Sequence, residues 1–201
     1  MIDHFNLVEK FISNRDELFS LVHILIRAKD HPNEKISKSF VKTYFIKNKE
    51  QLREYKQEIV TLCDVFKARA YITISEKSYK KFQDALLVKL AEYNKDNVYR
   101  NPERILDSVA MELKGMSDLW ILDVDDTEIE PKLIDYITKD SDIKRNKCWI
   151  FAKIPTLQGF HLITSKFDSL EFHKLFPDII IHKNPLGTVL YIPDSVCNLK
   201  K

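Results

Sequence analysis

The sequence predicts an α+β protein: a mainly antiparallel sheet with flanking helices, preceded by a helical N-terminal segment. Three observations lead there. Apolar residues recur at helical spacing through much of residues 1–67, whereas from residue 68 alternating runs of β-branched and aromatic residues take over. Two pairs of those runs are separated by short Pro/Gly-containing stretches, Pro155–Gly159 and Lys183–Gly187, of hairpin length and chemistry. The change in pattern divides the chain into a helical accessory segment, 1–67, and a core, 68–201.

In order, Phe5, Val8, Phe11 and Ile12, then Leu18, Leu21, Val22 and Leu25, read as two helices over residues 3–29, with Asn14 between them and His31-Pro32 after. Asn33 to Lys38 is polar. Ser39–Ile46 leans to strand through its aromatic and β-branched content. Asn48 is a plausible cap for a helix carrying Leu52, Tyr55, Ile59, Leu62 and Phe66 on one face and ending near Lys67.

Ala68–Ile74 alternates as a strand, and Ser75 or Ser78 can cap a helix with Phe82, Leu86, Leu87 and Leu90 on its apolar face. Asn101-Pro102 is a helix start and Gly115 a natural stop. A strand ending at Asp125 follows, then a helix over Thr127–Lys139 capped by Thr127. Strands Cys148–Ile154 and Phe160–Thr164 form one hairpin, an Asp168-capped helix runs to Phe176, and Asp178–His182 with Thr188–Ile192 form a second hairpin.

With 201 residues and 44% hydrophobic content the chain can bury a real core. Its 32 Lys and Arg against 30 Asp and Glu leave a net charge of +2, so any nucleic-acid surface has to be local. Cys63, Cys148 and Cys197 are odd in number and far apart, which fits neither a disulfide framework nor a paired-cysteine zinc site. No stretch approaches a membrane span, and Met1–Phe5 lacks the cationic-then-apolar pattern expected of a secretory leader. A soluble, cytoplasmic protein is expected.

Chemistry concentrates in Trp120-Ile121-Leu122-Asp123-Val124-Asp125-Asp126, an apolar strand ending in three carboxylates. Residues two apart share a face, so Asp123 and Asp125 project together. Neighbouring carboxylates repel, and a hard divalent cation such as Mg²⁺ or Mn²⁺ relieves that repulsion while bridging to substrate phosphates. The plainer reading makes Asp125 and Asp126 the start of a turn and the cap of the next helix. His161 opens a later strand just after Gly159, and a glycine there lets backbone or phosphate approach closely. Lys153, Lys166 and Lys183 are further candidate phosphate donors.

Leu122-Asp123-Val124-Asp125, followed by Gly159-Phe160-His161-Leu162 on a hairpin strand, resembles the archaeo-eukaryotic primase (primase-polymerase) superfamily. Arg69-Ala70-Tyr71-Ile72 is similar to the first strand of phage and mobile-element members. The resemblance spans roughly 68–193 and implies a primase-polymerase-like catalytic core. It also implies a two-metal nucleotidyltransferase that uses Mg²⁺ or Mn²⁺, a single-stranded nucleic acid template and nucleoside triphosphates, with a helicase or other replication protein as a possible partner. Asp123 and Asp125 would hold the metals, with Asp178 as the third acid. His161, with Gly159 and Lys183, would receive the nucleotide. Two departures stand out: Asp178 follows Pro177 where the family's third acid follows an apolar residue, and no zinc module is encoded.

Two rival functions use the same residues. A degenerate relative would bind nucleic acid or nucleotide without polymerising. Alternatively, Asp123-Val124-Asp125-Asp126-Thr127 fits the Asp-x-Asp-x-Thr signature of haloacid-dehalogenase-like phosphatases, with Asp123 as nucleophile on the first strand of a parallel sheet.

Overall fold

The computed structural model describes residues 1–32, 39–96, 101–139, 149–183 and 187–198. The N-terminal part contains β1 (Ile2–Asp3), α1 (Phe5–Val8), β2 (Leu18–Ile26), β3 (Ser39–Ile46) and α2 (Lys49–Phe66). Next come β4 (Arg69–Ile72), β5 (Lys77–Ser78), α3 (Tyr79–Lys95), α4 (Pro102–Glu112), β6 (Leu119–Val124) and α5 (Glu130–Lys139). The chain closes with β7 (Ile150–Pro155), β8 (Phe160–Ser165), α6 (Ser169–Leu175), β9 (Ile180–His182), β10 (Thr188–Ile192) and α7 (Asp194–Cys197). Asn33–Lys38, Cys148 and the turn residues Asn184, Pro185 and Leu186 lie outside the described residues.

The strands form two sheets. The first runs β1-β10-β4-β2-β3 with β5 attached to β2, and the second runs β7-β8-β6-β9. All of these pairings are antiparallel. The α+β expectation therefore holds, with helices packed against antiparallel sheets.

Several expected elements are replaced. Leu18–Ile26, read as helical, is a nine-residue strand between β3 and β4. Its first seven residues are buried. A run of apolar and β-branched side chains buried on both faces satisfies a central strand as well as a helix, and tertiary pairing decides between them. Residues 1–67 thus contribute β1, β2 and β3 to the sheet that β4 and β10 complete, rather than a helical appendage. The second hairpin is also absent: β9 pairs with β6 and β10 with β1 and β4, so these strands belong to different sheets. Asp126, not Thr127, caps the turn before α5, its carboxylate accepting from the Glu128 N–H at 2.8 Å. α4 ends at Glu112, ahead of Gly115, where an added Cβ would fall 2.0 Å from Ser75 Oγ.

Other caps match the sequence chemistry. Asn48 accepts from the Gln51 N–H at 2.9 Å, Asn101 from Glu103 at 2.9 Å, and Asp168 from Leu170 at 2.9 Å. Lys67 ends α2 in the left-handed conformation.

Packing fixes β6 from both sides. Leu122 and Val124 enter a core with Phe160, Leu162, Leu133 and Ile137 and with Phe172 of α6. On the other face Ile121 joins Ile154 and Ile163 against Val22, Ile24, Ala70 and Ile72 of the first sheet. Truncating Ile121, Leu122, Ile163 or Leu133 to Ala costs about 2–5 kcal/mol. A buried Arg69–Asp30 pair, Arg69 Nε donating to Oδ2 at 2.6 Å, ties β4 to the turn after β2. Removing one partner would strand the other charge, at about 3–5 kcal/mol.

Lys77 is buried, and its ammonium donates to the carbonyl of Leu113, the cap residue after α4. Burial lowers its pKa from 10.5 to about 8. Between those values the unfolded chain holds a proton that the folded chain lacks, so unfolding free energy rises with pH across that window. Denaturant titrations of the parent and of Lys77→Met from pH 7.5 to 10.5 should diverge, the parent gaining up to about 1.4 kcal/mol per pH unit relative to the variant. Parallel pH profiles would refute the buried-lysine assignment.

Candidate active site at the end of strand β6

The antiparallel register of β6 and β8 sets Asp123 directly opposite His161. Cross-strand partners share a face, and His161 Nε2 lies 3.4 Å from Asp123 Oδ1. The other ring nitrogen, Nδ1, meets Thr188 Oγ1 at 2.9 Å. Nε2–H donates to the carboxylate, and Nδ1 pairs with the hydroxyl as donor or acceptor according to the protonation of the ring. Thr188 opens β10 in the first sheet, so both sheets orient this ring.

Asp123 is half-buried and its pKa is lowered from 3.8. The hydrogen bond from His161 is the largest cause; burial opposes it, and the charges of His161, His182 and Lys29 add to it. The carboxylate is thus held ionised among donors. Asp125, just beyond the strand, is exposed.

Gly159 explains how the hairpin seats against this end of β6. A Cβ there would lie 1.9 Å from the Val124 carbonyl oxygen and 2.9 Å from the Asp125 Cα. The loop closes on itself through Thr156 N–H to Gly159 C=O at 2.8 Å and Gly159 N–H to Thr156 Oγ1 at 3.1 Å. Gly159 therefore serves backbone approach, and it brings His161 beside Asp123.

The remaining expected residues divide. Asp178 is exposed in the turn before β9, whose Ile180 pairs with Asp123. Among the described residues no three His, Cys, Asp or Glu side chains form a group suited to holding a metal. Asp123, Asp125 and Asp178 are therefore not assembled as a three-acid cage. Lys183 turns to the helix-covered face: its Nζ donates to Ser169 Oγ at 2.9 Å and sits 5.1 Å from the centre of the Trp120 ring. Trp120 alternates with Asp123 on β6, so Lys183 is on the wrong side for a ligand shared with His161. Lys153 and Lys166 are likewise engaged, with Glu130 at 2.6 Å and Asp118 at 2.8 Å.

Three contributors escaped the sequence reading. His182 shares the Asp123 face through its partner Ile121, and the alternation of Ile180-Ile181-His182 would have placed it there. Thr188 and Lys29 reach the site only through the sheet order, which no local pattern encodes. The phosphatase resemblance calls for this motif on the first strand of a parallel sheet, whereas β6 is paired antiparallel on both sides.

Two outcomes test this geometry. Replacing His161 with Ala should move the Asp123 pKa upward toward the ordinary carboxylate value, read by carboxyl carbon NMR; the stability that Asp123 contributes is present above that ordinary value and disappears as pH falls through its folded one. An unchanged Asp123 titration would dismiss the pair. Gly159→Ala should destabilise the fold by about 1–3 kcal/mol, since the new methyl must displace the Val124 backbone, and calorimetry showing a parent-like melting point would contradict it. Compared with protein-family models, with curated proteins and with solved structures, the chain has no significant match in any of the three.

Proposed function

We propose that the chain is a metal-dependent nucleotidyltransferase of the primase-polymerase type, joining nucleotides on a single-stranded template. The observation that carries this reading is the direct pairing of Asp123 with His161 at the end of β6, beside exposed Asp125. It is the juxtaposition that the resemblance in Leu122–Asp125 and Gly159–Leu162 calls for. Asp123 and Asp125 offer hard oxygen donors, and Mg²⁺ commonly uses one or two carboxylates while substrate phosphates and water complete its shell. Divalent ions there would supply charge neutralisation for the attacking oxygen and the departing pyrophosphate. His161 would share its Nε2–H between Asp123 and a triphosphate oxygen, from a ring whose Nδ1 Thr188 holds. His182 and Lys29 add positive charge on the same side.

A second reading has its own support. Asp178 stands exposed in a turn and no three-ligand group exists among the described residues, which favours a relative that binds nucleotide or single-stranded nucleic acid without polymerising.

Primer synthesis on a single-stranded template with Mn²⁺ and nucleoside triphosphates separates the two. The parent should form metal-dependent product, and Asp123→Ala or Asp125→Ala should lower its rate by at least about a hundredfold. A parent that binds nucleotide yet yields no product under Mn²⁺ or Mg²⁺ leaves the binding module as the function.

A further inference from the structure

At the opposite end of β6 from Asp123, a shallow cavity of about 340 Å³ combines aromatic, apolar and basic side chains. Phe11, Leu119 and Phe151 line it together with Lys10 and Arg15. Phe151 is the extra residue where the β7–β8 register shifts between Ile150 and Ala152, and it is 47% exposed. Trp149 stands beside it. Its N–H donates to Ser165 Oγ at 2.8 Å and its carbonyl accepts from the Ser165 N–H at 2.9 Å, so it opposes Ser165, the register partner of Leu119. Trp149 therefore extends the cavity face along the edge strand, and it is 61% exposed.

The charges around this face are mostly positive. Lys10 Nζ donates to the Phe151 carbonyl at 2.9 Å, which keeps its ammonium at the aromatic surface. Arg15 is exposed, 3.9 Å from Glu76, whose carboxylate also accepts from the Ser13 N–H. Lys114 and Lys166 both reach the single acid Asp118, which directly precedes Leu119. The cavity lining thus holds two cations, Lys10 and Arg15, against one acid, Glu76, and beside it Lys114 and Lys166 outnumber Asp118, the residue that leads into Leu119.

Exposed aromatic faces interleaved with an excess of cations over acids are what a flexible polyanion with stacking bases requires. We infer that the Trp149–Phe151 edge is an anchor for single-stranded nucleic acid, separate from the reacting pair: bases stack on Trp149 and Phe151 while Lys10 and Arg15 meet the phosphates. The choice of a nucleic-acid strand over a protein segment rests on the nucleotidyl-transfer reading of the Asp123 site. Four residues at ~3.4 Å each set Leu119 roughly 14 Å from Asp123 along β6, and Ile121 with Ile163 lies buried under the first sheet between them. The anchor thus holds a strand outside the reaction centre.

The test is equilibrium binding of the full chain to fluorescein-labelled 20-nucleotide oligodeoxythymidylate and oligouridylate, in EDTA so that no metal chemistry intervenes. The parent should bind at least one of them with an affinity that falls linearly in log–log form with salt, and the two arms distinguish DNA from RNA. Trp149→Ala and Phe151→Ala should each weaken binding about tenfold while Trp149→Phe stays near the parent. Arg15→Gln should reduce the salt slope by about 0.7. Trp120 is buried, so quenching of tryptophan emission on binding should vanish in Trp149→Phe. The Asp123→Ala/Asp125→Ala double variant should bind like the parent, which keeps this result distinct from the primer-synthesis outcome. Parent-like binding by Trp149→Ala and Phe151→Ala would overturn the anchor, and so would a parent that binds neither oligonucleotide.

Discussion

The apolar side chains that the second sheet turns toward the first are the constraint on which the remaining geometry depends. Ile121, Ile154 and Ile163 are buried against Val22, Ile24, Ala70 and Ile72, and this contact fixes the spacing of the two sheets. Strand alternation then has a fixed consequence. With Ile121 inward, Asp123 emerges two residues later on the same face at the margin of that core, and with Ile163 inward His161 does the same on β8. The carboxylate and the imidazole meet because their neighbours are buried. Thr188 completes the arrangement from β10, so the ring is held between sheets and would be released by any slip of one against the other. A slip of one residue would carry Asp123 into the Leu122–Phe160 core, where an unpaired carboxylate costs several kcal/mol.

How far the chain discloses this arrangement depends on the range of each signal. Caps and hairpin chemistry are local, and Asn48, Asn101, Asp168 and the Pro155–Gly159 loop behave as their residues dictate. The Asp123/His161 juxtaposition was legible because alternation and a hairpin give each residue a face, and a shared motif suggested that the faces meet. Leu18–Ile26 was not legible. Its apolar residues satisfy a helical period, and only its placement between β3 and β4, with both faces covered, makes it a strand. The sheet assignment of Thr188–Ile192 failed for a related reason: a short turn-like connection implies a hairpin only when both strands find their best partners in each other. Here β9 gains the edge of β6 while β10 gains a central position between β1 and β4. Long-range pairing decides such cases, and it leaves no mark within a ten-residue window.

The same logic sorts the charged residues. Lysines near the candidate site in sequence turned out to be neutralised nearby: Lys153 by Glu130 and Lys166 by Asp118, with Lys183 resting on Trp120 and Ser169. The positive charge that acts on Asp123 comes instead from His161, His182 and Lys29, and Lys29 lies in the turn that follows β2. The N-terminal third therefore supplies part of the site's electrostatics as well as three strands of the first sheet, on which the site's sheet packs.

That division bears on how a site with two carboxylates would work. Asp123 is kept ionised by a histidine that is itself anchored, so its charge is in place before any ligand arrives and little reorganisation is needed. Asp125 is exposed and carries no comparable restraint. On the proposed reading, a divalent ion would meet one ordered and one adaptable carboxylate, and substrate phosphates would have to supply the remaining oxygens. Metal and nucleotide binding would then be mutually dependent, each strengthening the other by the same factor, as thermodynamic linkage requires. A three-acid cage would bind metal tightly without substrate; a two-acid site gains its metal largely with the triphosphate. On the same reading, nucleotide would be the occupant that completes a site built on Asp123, Asp125 and His161.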